Sequence, residues 1–386
     1  MGRSIRRRRA ARRHRSKVLK SPAGNLLQAK QTVEMIFDPK LREKLHMNFV
    51  RTRLAPLALA LAAIISLGAC ASETPGSSSG ESITIYSGRS EDLISELLET
   101  FTSETGIGVE VRYGDSAELA AQILEEGSNV RADVFFSQDA GALGALGNEG
   151  LLKALPSETL ELVPAQYRSD AGVWVGVSGR GRVMAFDPEK ISTLPKSYMD
   201  LAMPEWKGRI GIAPSNASFQ AFVTALVNAQ GADFAQKWLE GLKANDVRIF
   251  AKNSAIVEAI DKKEIAIGLV NHYYIWEVSE GLGREINVKN GFFKSGDLGN
   301  MINVSGAGVL ASSKKYAAAQ DLINFLTSQT IQEKFVSDTH EYSLLAGATA
   351  PAGLPLMREI GAPSVDLDAL KNIQITQDLL VKVGLL

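Results

Sequence analysis

From residue 82 onward, short β-rich runs alternate with stretches in which apolar side chains recur at helical spacing. Ile83-Thr-Ile-Tyr86 is the first such run. It is followed by Leu93, Ile94, Leu97, Leu98 and Phe101, whose spacing predicts a helix over 92–104. Ile107 to Tyr113 alternates as a strand, Ala117 to Glu126 predicts a helix, and Ala132-Asp-Val-Phe-Phe136 predicts a buried strand followed by a helix over 141–150. Strands and helices alternating at these lengths imply crossover connections and a mostly parallel sheet. Trp174 to Phe186 is a long, glycine-interrupted β pattern. A second series then opens at Arg209-Ile-Gly-Ile-Ala213. It continues through helices over 219–229, 234–242 and 255–262 and strands over 247–251 and 265–270. Gly306-Ala-Gly-Val-Leu310 and a helix over 316–327 return to the first series. An α/β fold in two lobes is expected: 83–179 with about 304–352 in the first, and about 180–303 with 353–386 in the second.

The pattern before residue 82 is of another kind. Met47-Asn-Phe-Val-Arg51-Thr-Arg53 leads into Leu54 to Ala69, which carries no charge, and then into Cys70. A basic start, an apolar run and a small-residue cleavage site make a signal peptide over 47–69. Its apolar run of 16 residues falls short of the roughly 20 that span a bilayer. Leu67-Gly-Ala-Cys70 has the form of a bacterial lipobox, in which the cysteine is lipidated. The Ser/Gly/Pro-rich stretch over 71–80 then forms a flexible tether, with 70–82 as the whole linker. Acyl chains contribute about 0.8 kcal/mol per buried methylene, which predicts an extracytoplasmic, membrane-anchored protein. Residues 1–46 are a mis-assigned or unusual extension ahead of a start at Met47.

Composition supports this division. The chain has 386 residues, 45% apolar and 22% charged, with one cysteine; a disulfide framework is excluded. The net charge of −1 conceals 16 Lys and Arg against 3 Asp and Glu before residue 70, leaving 26 basic against 40 acidic residues after it. An Arg-rich run from Arg6 to Arg15 alone would suggest nucleic-acid binding. The acidic body argues against it.

Candidate chemistry concentrates at Asn271-His-Tyr-Tyr274, where the strand over 265–270 ends. Adjacent side chains on a strand point to opposite faces, so two neighbouring tyrosines converge only where regular structure breaks. Phenolates are hard oxygen donors, and a free tyrosine titrates near pH 10, so a strongly charged cation is needed to keep both deprotonated. Aromatic packing at a strand edge is the competing reading. After residue 70 only His272 and His340 remain, and no further cysteine, which disfavours a zinc or copper site. Beside Tyr273, His272 is expected to be a surface residue or a support to the site rather than a ligand. Ser87-Gly-Arg-Ser90 and Pro214-Ser-Asn-Ala-Ser218 each lie between a strand and a helix, where free N–H groups favour an anion.

Several stretches carry a resemblance: Ile83-Thr-Ile-Tyr-Ser-Gly88, Ala132-Asp-Val-Phe-Phe136, Ser178-Gly-Arg-Gly-Arg-Val183, Trp206-Lys-Gly-Arg-Ile210, Ala251-Lys-Asn-Ser254 and Asn271-His-Tyr-Tyr274. In this order the chain resembles the bacterial ferric-iron-binding receptors of ABC transporters. The resemblance implies a two-lobed periplasmic-binding-protein type II fold with mixed sheets flanked by helices and a hinge between the lobes. It also implies a monomer that delivers Fe³⁺ to a membrane permease. Tyr273 and Tyr274 fall on the family's iron-binding pair. Asn216, Ala217, Ser218, Asn253 and Asn271 fall where some members bind a synergistic anion, carbonate or phosphate. Ser90 stands where many members have a ligand histidine, Gln138 followed by Asp139 where some have a ligand glutamate, and Phe219 where others have a third tyrosine. Two protein ligands therefore remain, and Arg89 or Arg180 is expected to hold the completing anion by paired hydrogen bonds; a salt bridge is the alternative for both arginines.

A receptor on the same fold for thiamine, a phosphonate or a polyamine is the nearest competitor, with cation–π stacking on Tyr273, Tyr274 and Trp276. An exported hydrolase is disfavoured: the sequence has no His-Glu-x-x-His, and the two histidines after residue 70 leave little for a catalytic triad. No enzymatic role is expected.

Overall fold

The computed structural model describes residues 81–386. The leader over 47–69, Cys70 and the tether up to residue 80 lie outside the described residues, as does the Arg-rich run.

In the first lobe β1 (Ser82–Ser87) leads to α1 (Glu91–Thr105), β2 (Gly108–Tyr113), α2 (Ser116–Glu126), β3 (Val134–Ser137), α3 (Ala140–Asn148) and the short α4 (Ser157–Leu160). Helix α1 forms because Ile94, Leu97, Leu98 and Phe101 share one buried face. Gly106 ends it in a left-handed conformation, its N–H donating to the Thr102 carbonyl. Asp115 starts α2 by accepting from the N–H groups of Ala117 and Glu118. The 12-residue β4 (Val175–Phe186) then runs out of the first lobe.

The second lobe holds β5 (Ile210–Ile212), α5 (Ala217–Gln230), α6 (Ala232–Ala244), β6 (Arg248–Ile249), α7 (Asn253–Asp261), β7 (Ile267–Asn271), α8 (Tyr274–Leu282) and β8 (Lys289–Gly291). β9 (Ile302–Val309), α9 (Tyr316–Leu326) and α10 (Gln329–Asp338) return to the first lobe, and α11 (Ile373–Val383) ends the chain.

Strand order is β2-β1-β3-β9-β4-β7-β5-β6, with β8 also on β4. β1 pairs parallel with β2 and β3, and β5 pairs parallel with β6 and β7. The middle differs from the mostly parallel sheet expected, because β3, β4, β7 and β8 meet their central neighbours antiparallel. The long strand leaving one lobe and the strand re-entering it run in opposite senses. The result is two parallel halves joined by an antiparallel seam.

One buried apolar cluster surrounds β1, β3, β9 and the start of β4, with Phe101, Phe136, Trp174 and Tyr342 at its centre. A second gathers on Tyr198, Phe222 and Trp238, whose rings meet edge to face at 5.6–5.7 Å. A third includes Val183, Ile256, Val270 and Val278. The tail is divided where the sequence reading gave all of 353–386 to the second lobe. Ile360, Leu367 and Leu370 belong to the first cluster, and Leu379, Leu380 and Val383 to the second. The first three are anchored by packing that no local periodicity announces.

Candidate functional site

β7 is buried along its whole length and ends at Asn271; His272 follows, and Tyr273 already has helical φ and ψ as the N-cap of α8. Successive helical residues turn by about 100° rather than the 180° of a strand. This places the two rings together: the centroids of Tyr273 and Tyr274 lie 4.6 Å apart at 34°. Asn271 Nδ2 reaches the Tyr273 hydroxyl at 3.4 Å. Burial pushes the Tyr274 phenol well above its ordinary range, and the facing Tyr273 and nearby Glu277 add to the shift, against a hydrogen bond from Asn253. The Tyr274 phenol therefore keeps its proton at neutral pH.

His272 is fully buried. Its Nε2–H donates to the His340 carbonyl at 2.6 Å, and its Nδ1 accepts from the Gly181 N–H at 3.1 Å. Burial lowers its pKa to about 4 despite these carbonyl contacts. Both ring nitrogens are engaged, so it is a support beneath the tyrosines.

Arg180 and Arg182 lie two residues apart on β4 and therefore point to one face. Both are buried. Arg180 Nε and Arg182 Nη2 have no hydrogen-bond partner among the described residues. Burial opposes the charge of Arg180, but Tyr273, Glu341 and Asp139 outweigh it and hold its pKa above the usual value. Burial lowers Arg182 to about 10, only partly offset by Tyr274 and Tyr273. The Arg182 guanidinium lies 5.9 and 5.5 Å from the ring centres of Phe219 and Phe222, and its Nη1 donates to Ser218 Oγ at 3.0 Å. Arg182 was within reach of sequence reasoning through its two-residue spacing from Arg180. Phe219 is fully buried beneath it, in the second cluster.

The start of α5 completes this wall. Asn216 caps the helix, its Oδ1 accepting from Ser218 N at 3.0 Å and from Ser218 Oγ at 2.7 Å. Asn253 Nδ2 donates to Ser218 Oγ at 3.0 Å and to Asn216 Oδ1 at 3.3 Å, while its own buried Oδ1 has no partner. Ala217 is exposed as the first residue of α5.

Arg89 forms the salt bridge that was the alternative for it. Its Nη1 and Nη2 donate to Glu341 Oε1 and Oε2 at 2.9 and 2.8 Å, and Nη1 also reaches Gln138 Oε1 at 3.2 Å. Arg89 is only 1% exposed and Glu341 3%. Glu341 further accepts from Ser178 at 2.6 Å. Burial alone would raise the Glu341 pKa, but the Arg89 charge and hydrogen bonds hold it below the usual carboxylate range. With Nη1 and Nη2 closed on the carboxylate, Arg89 keeps its Nε without a partner among the described residues. Gln138 is committed to the same pair. Asp139 caps α3 through the Ala142 N–H at 3.2 Å, and burial raises its pKa against the pull of Arg180. Ser90 stays exposed at the N-cap of α1, making no side-chain cap bond.

Ser90, Gln138, Tyr273, Tyr274, Thr339, His340 and Glu341 line one cleft of about 290 Å³. Residues from both lobes thus face a single space containing two phenols, while Arg180, Arg182, Asn216, Ser218, Asn253 and Asn271 lie outside its immediate lining.

The profile of the bacterial extracellular solute-binding proteins matches residues 129–359. The chain belongs to that family. This solute-binding protein is 36% identical over 338 residues to the Fe(3+)-binding periplasmic protein of Serratia marcescens, covering 86% of this chain and 98% of that one. It is 34% identical over 311 residues to the major ferric iron-binding protein of Neisseria meningitidis, covering 78% and 93%. Iron-bound HitA from Pseudomonas aeruginosa superposes with a TM-score of 0.73 at 34% identity, covering 79% of this chain and 99% of the other. A Trichodesmium protein in complex with iron and citrate superposes at 0.68 with 29% identity, covering 78% and 99%. The two-lobed architecture is therefore that of periplasmic binding proteins, and the relatives are named for binding ferric iron.

Proposed function

We propose that this solute-binding protein is an extracytoplasmic receptor for ferric iron that delivers its cargo to an ABC permease. The observation carrying this reading is the pair of half-buried phenols of Tyr273 and Tyr274, 4.6 Å apart and facing two buried arginines. Both phenols lose a proton when a trivalent cation arrives and become hard oxygen ligands. One positive charge then remains on the ion, beside those of Arg180 and Arg182, so the site calls for an anion. Carbonate or phosphate fits the unfilled donors of Arg180 and Arg182 and the Asn216, Ala217, Ser218, Asn253 and Asn271 wall. A cleft that discriminates by phenolate ligation and by a completing anion selects ferric ions over divalent ones. The relatives named for ferric iron support the same reading.

Lipidation at Cys70 would tether the receptor to the membrane beside its permease, with one copy of the chain sufficient for binding. Labelling with a palmitate analogue, lost in Cys70→Ser, tests the anchor. For the cargo, titration of ferric iron with carbonate or phosphate should produce a visible phenolate-to-iron absorption band. Tyr273→Phe combined with Tyr274→Phe should abolish both band and binding; retention of both would overturn the ligand assignment.

A further inference from the structure

Beside the cleft, a turn of the first lobe grips the helix that begins with the tyrosine pair. His340 follows α10, whose Ile331 and Phe335 are anchored in the first cluster, as is Tyr342 on the other side of the turn. Across the cleft, α8 is fastened to the third cluster through Val278. The His340 ring stacks on Trp276 of α8, with centroids 4.8 Å apart at 20°. Its Nε2 lies 3.3 Å from Glu280 Oε1, one helical turn beyond Trp276. The His340 carbonyl accepts the bond from buried His272 at 2.6 Å. One residue thus meets the opposite lobe at three points: ring on ring, nitrogen to carboxylate, and carbonyl to imidazole. Its φ of +55° lies in the left-handed region, which is uncommon for non-glycine residues but which histidine, like asparagine and aspartate, enters more often than most. The surrounding contacts hold it there.

We propose that His340 is a positioning residue, a clasp that holds the first lobe against α8 and so governs how often the cleft opens and releases its cargo. The clasp itself is a property of the empty protein; its effect on release rests on the ferric reading above. The stack is the main element, because Glu280 is exposed and an exposed ion pair contributes little. An aromatic pair of this geometry corresponds to about a three- to tenfold shift in an equilibrium.

The test uses spin labels, one on an exposed site of each lobe of the full chain, with pulsed distance measurements on the iron-free protein. A parallel assay measures the rate of ferric loss to a competing chelator. His340→Asn tolerates the backbone conformation but removes the ring, and Trp276→Leu removes the stack from the other side. Both should lengthen and broaden the interlobe distances and raise the iron dissociation rate about three- to tenfold. Glu280→Gln, which keeps the ring stack but removes the charge pairing, should leave distances and release close to wild type. Unchanged distances in folded His340→Asn and Trp276→Leu would overturn the clasp. So would a change in Glu280→Gln as large as that in Trp276→Leu. Distances that shift in a protein showing no ferric band even as wild type would leave the clasp standing and overturn the cargo assignment instead.

Discussion

Replacing Arg89 by methionine isolates what the first-lobe ion pair does. The substitution removes two hydrogen bonds to Glu341, at 2.9 and 2.8 Å, and leaves a 3%-exposed carboxylate with only the 2.6 Å contact from Ser178. Breaking a buried pair from one side costs about 3–5 kcal/mol. Part of that loss is relieved when Glu341 takes up a proton, so without Arg89 its pKa rises. The sign of the pH dependence then reverses between the two proteins. In the wild type the Glu341 pKa is lowered, so the pair's contribution is complete above the unfolded value and is lost as pH falls through the folded one. In Arg89→Met the folded pKa is raised, so the penalty is full at neutral pH and fades as Glu341 takes up a proton. Urea unfolding of the iron-free proteins at pH 7.5, 6 and 5 should show a deficit of about 3–5 kcal/mol that narrows toward pH 5. A deficit below about 1 kcal/mol, or one that does not change with pH, would refute the reasoning. Arg89→Met with Glu341→Leu should recover most of the stability and keep anion-dependent ferric binding. Loss of that binding in a stable double variant would return Arg89 to the anion site.

The remaining expectations concern the second lobe. Ferric affinity should rise with pH through the acid and neutral range, approaching a hundredfold per unit if both phenols release a proton on binding. The raised Tyr274 pKa gives the sign, and pH-independent binding in titration calorimetry would exclude phenolate ligation. Arg182→Leu removes a buried charge with an unfilled donor, so the iron-free protein should keep or gain stability, while loss of one charge-assisted bond weakens anion-dependent binding about ten- to a hundredfold. A Cβ on Gly268 would stand 2.2 Å from Ile256 Cγ2. Gly268→Ala should therefore destabilise by about 1–3 kcal/mol through overpacking at the base of the site, read as a lowered unfolding midpoint.

Most elements were legible because their apolar spacing is regular: β1, α1, α2, β4, α5 and α7 lie within a few residues of the predicted bounds. Helix α8 was not predicted. Tyr-Tyr-Ile-Trp is rich in strand-forming aromatics, and only the end of β7 one residue earlier marks the change. The tyrosine pair was visible as two adjacent phenols, and Arg180 as part of a recurring segment. Glu341 was not, because it meets Arg89 across 252 residues and no local pattern carries such a pairing. The sequence reading correctly weighed a salt bridge as the alternative for Arg89. For His272 a surface position and a supporting one stood open from sequence; full burial excludes the first, and the two bonds that occupy its ring come from β4 and from the turn at His340.

One ribbon, β4, builds a wall of both sheets: residues 175–181 face β9 and residues 182–186 face β7. Neither half of this receptor is a module that could be cut out, since severing it anywhere along those twelve residues would expose raw sheet edges prone to self-association. Diversification in such a molecule must proceed by exchanging individual side chains around the cleft, because trading whole lobes between relatives would trade away half of a shared beam.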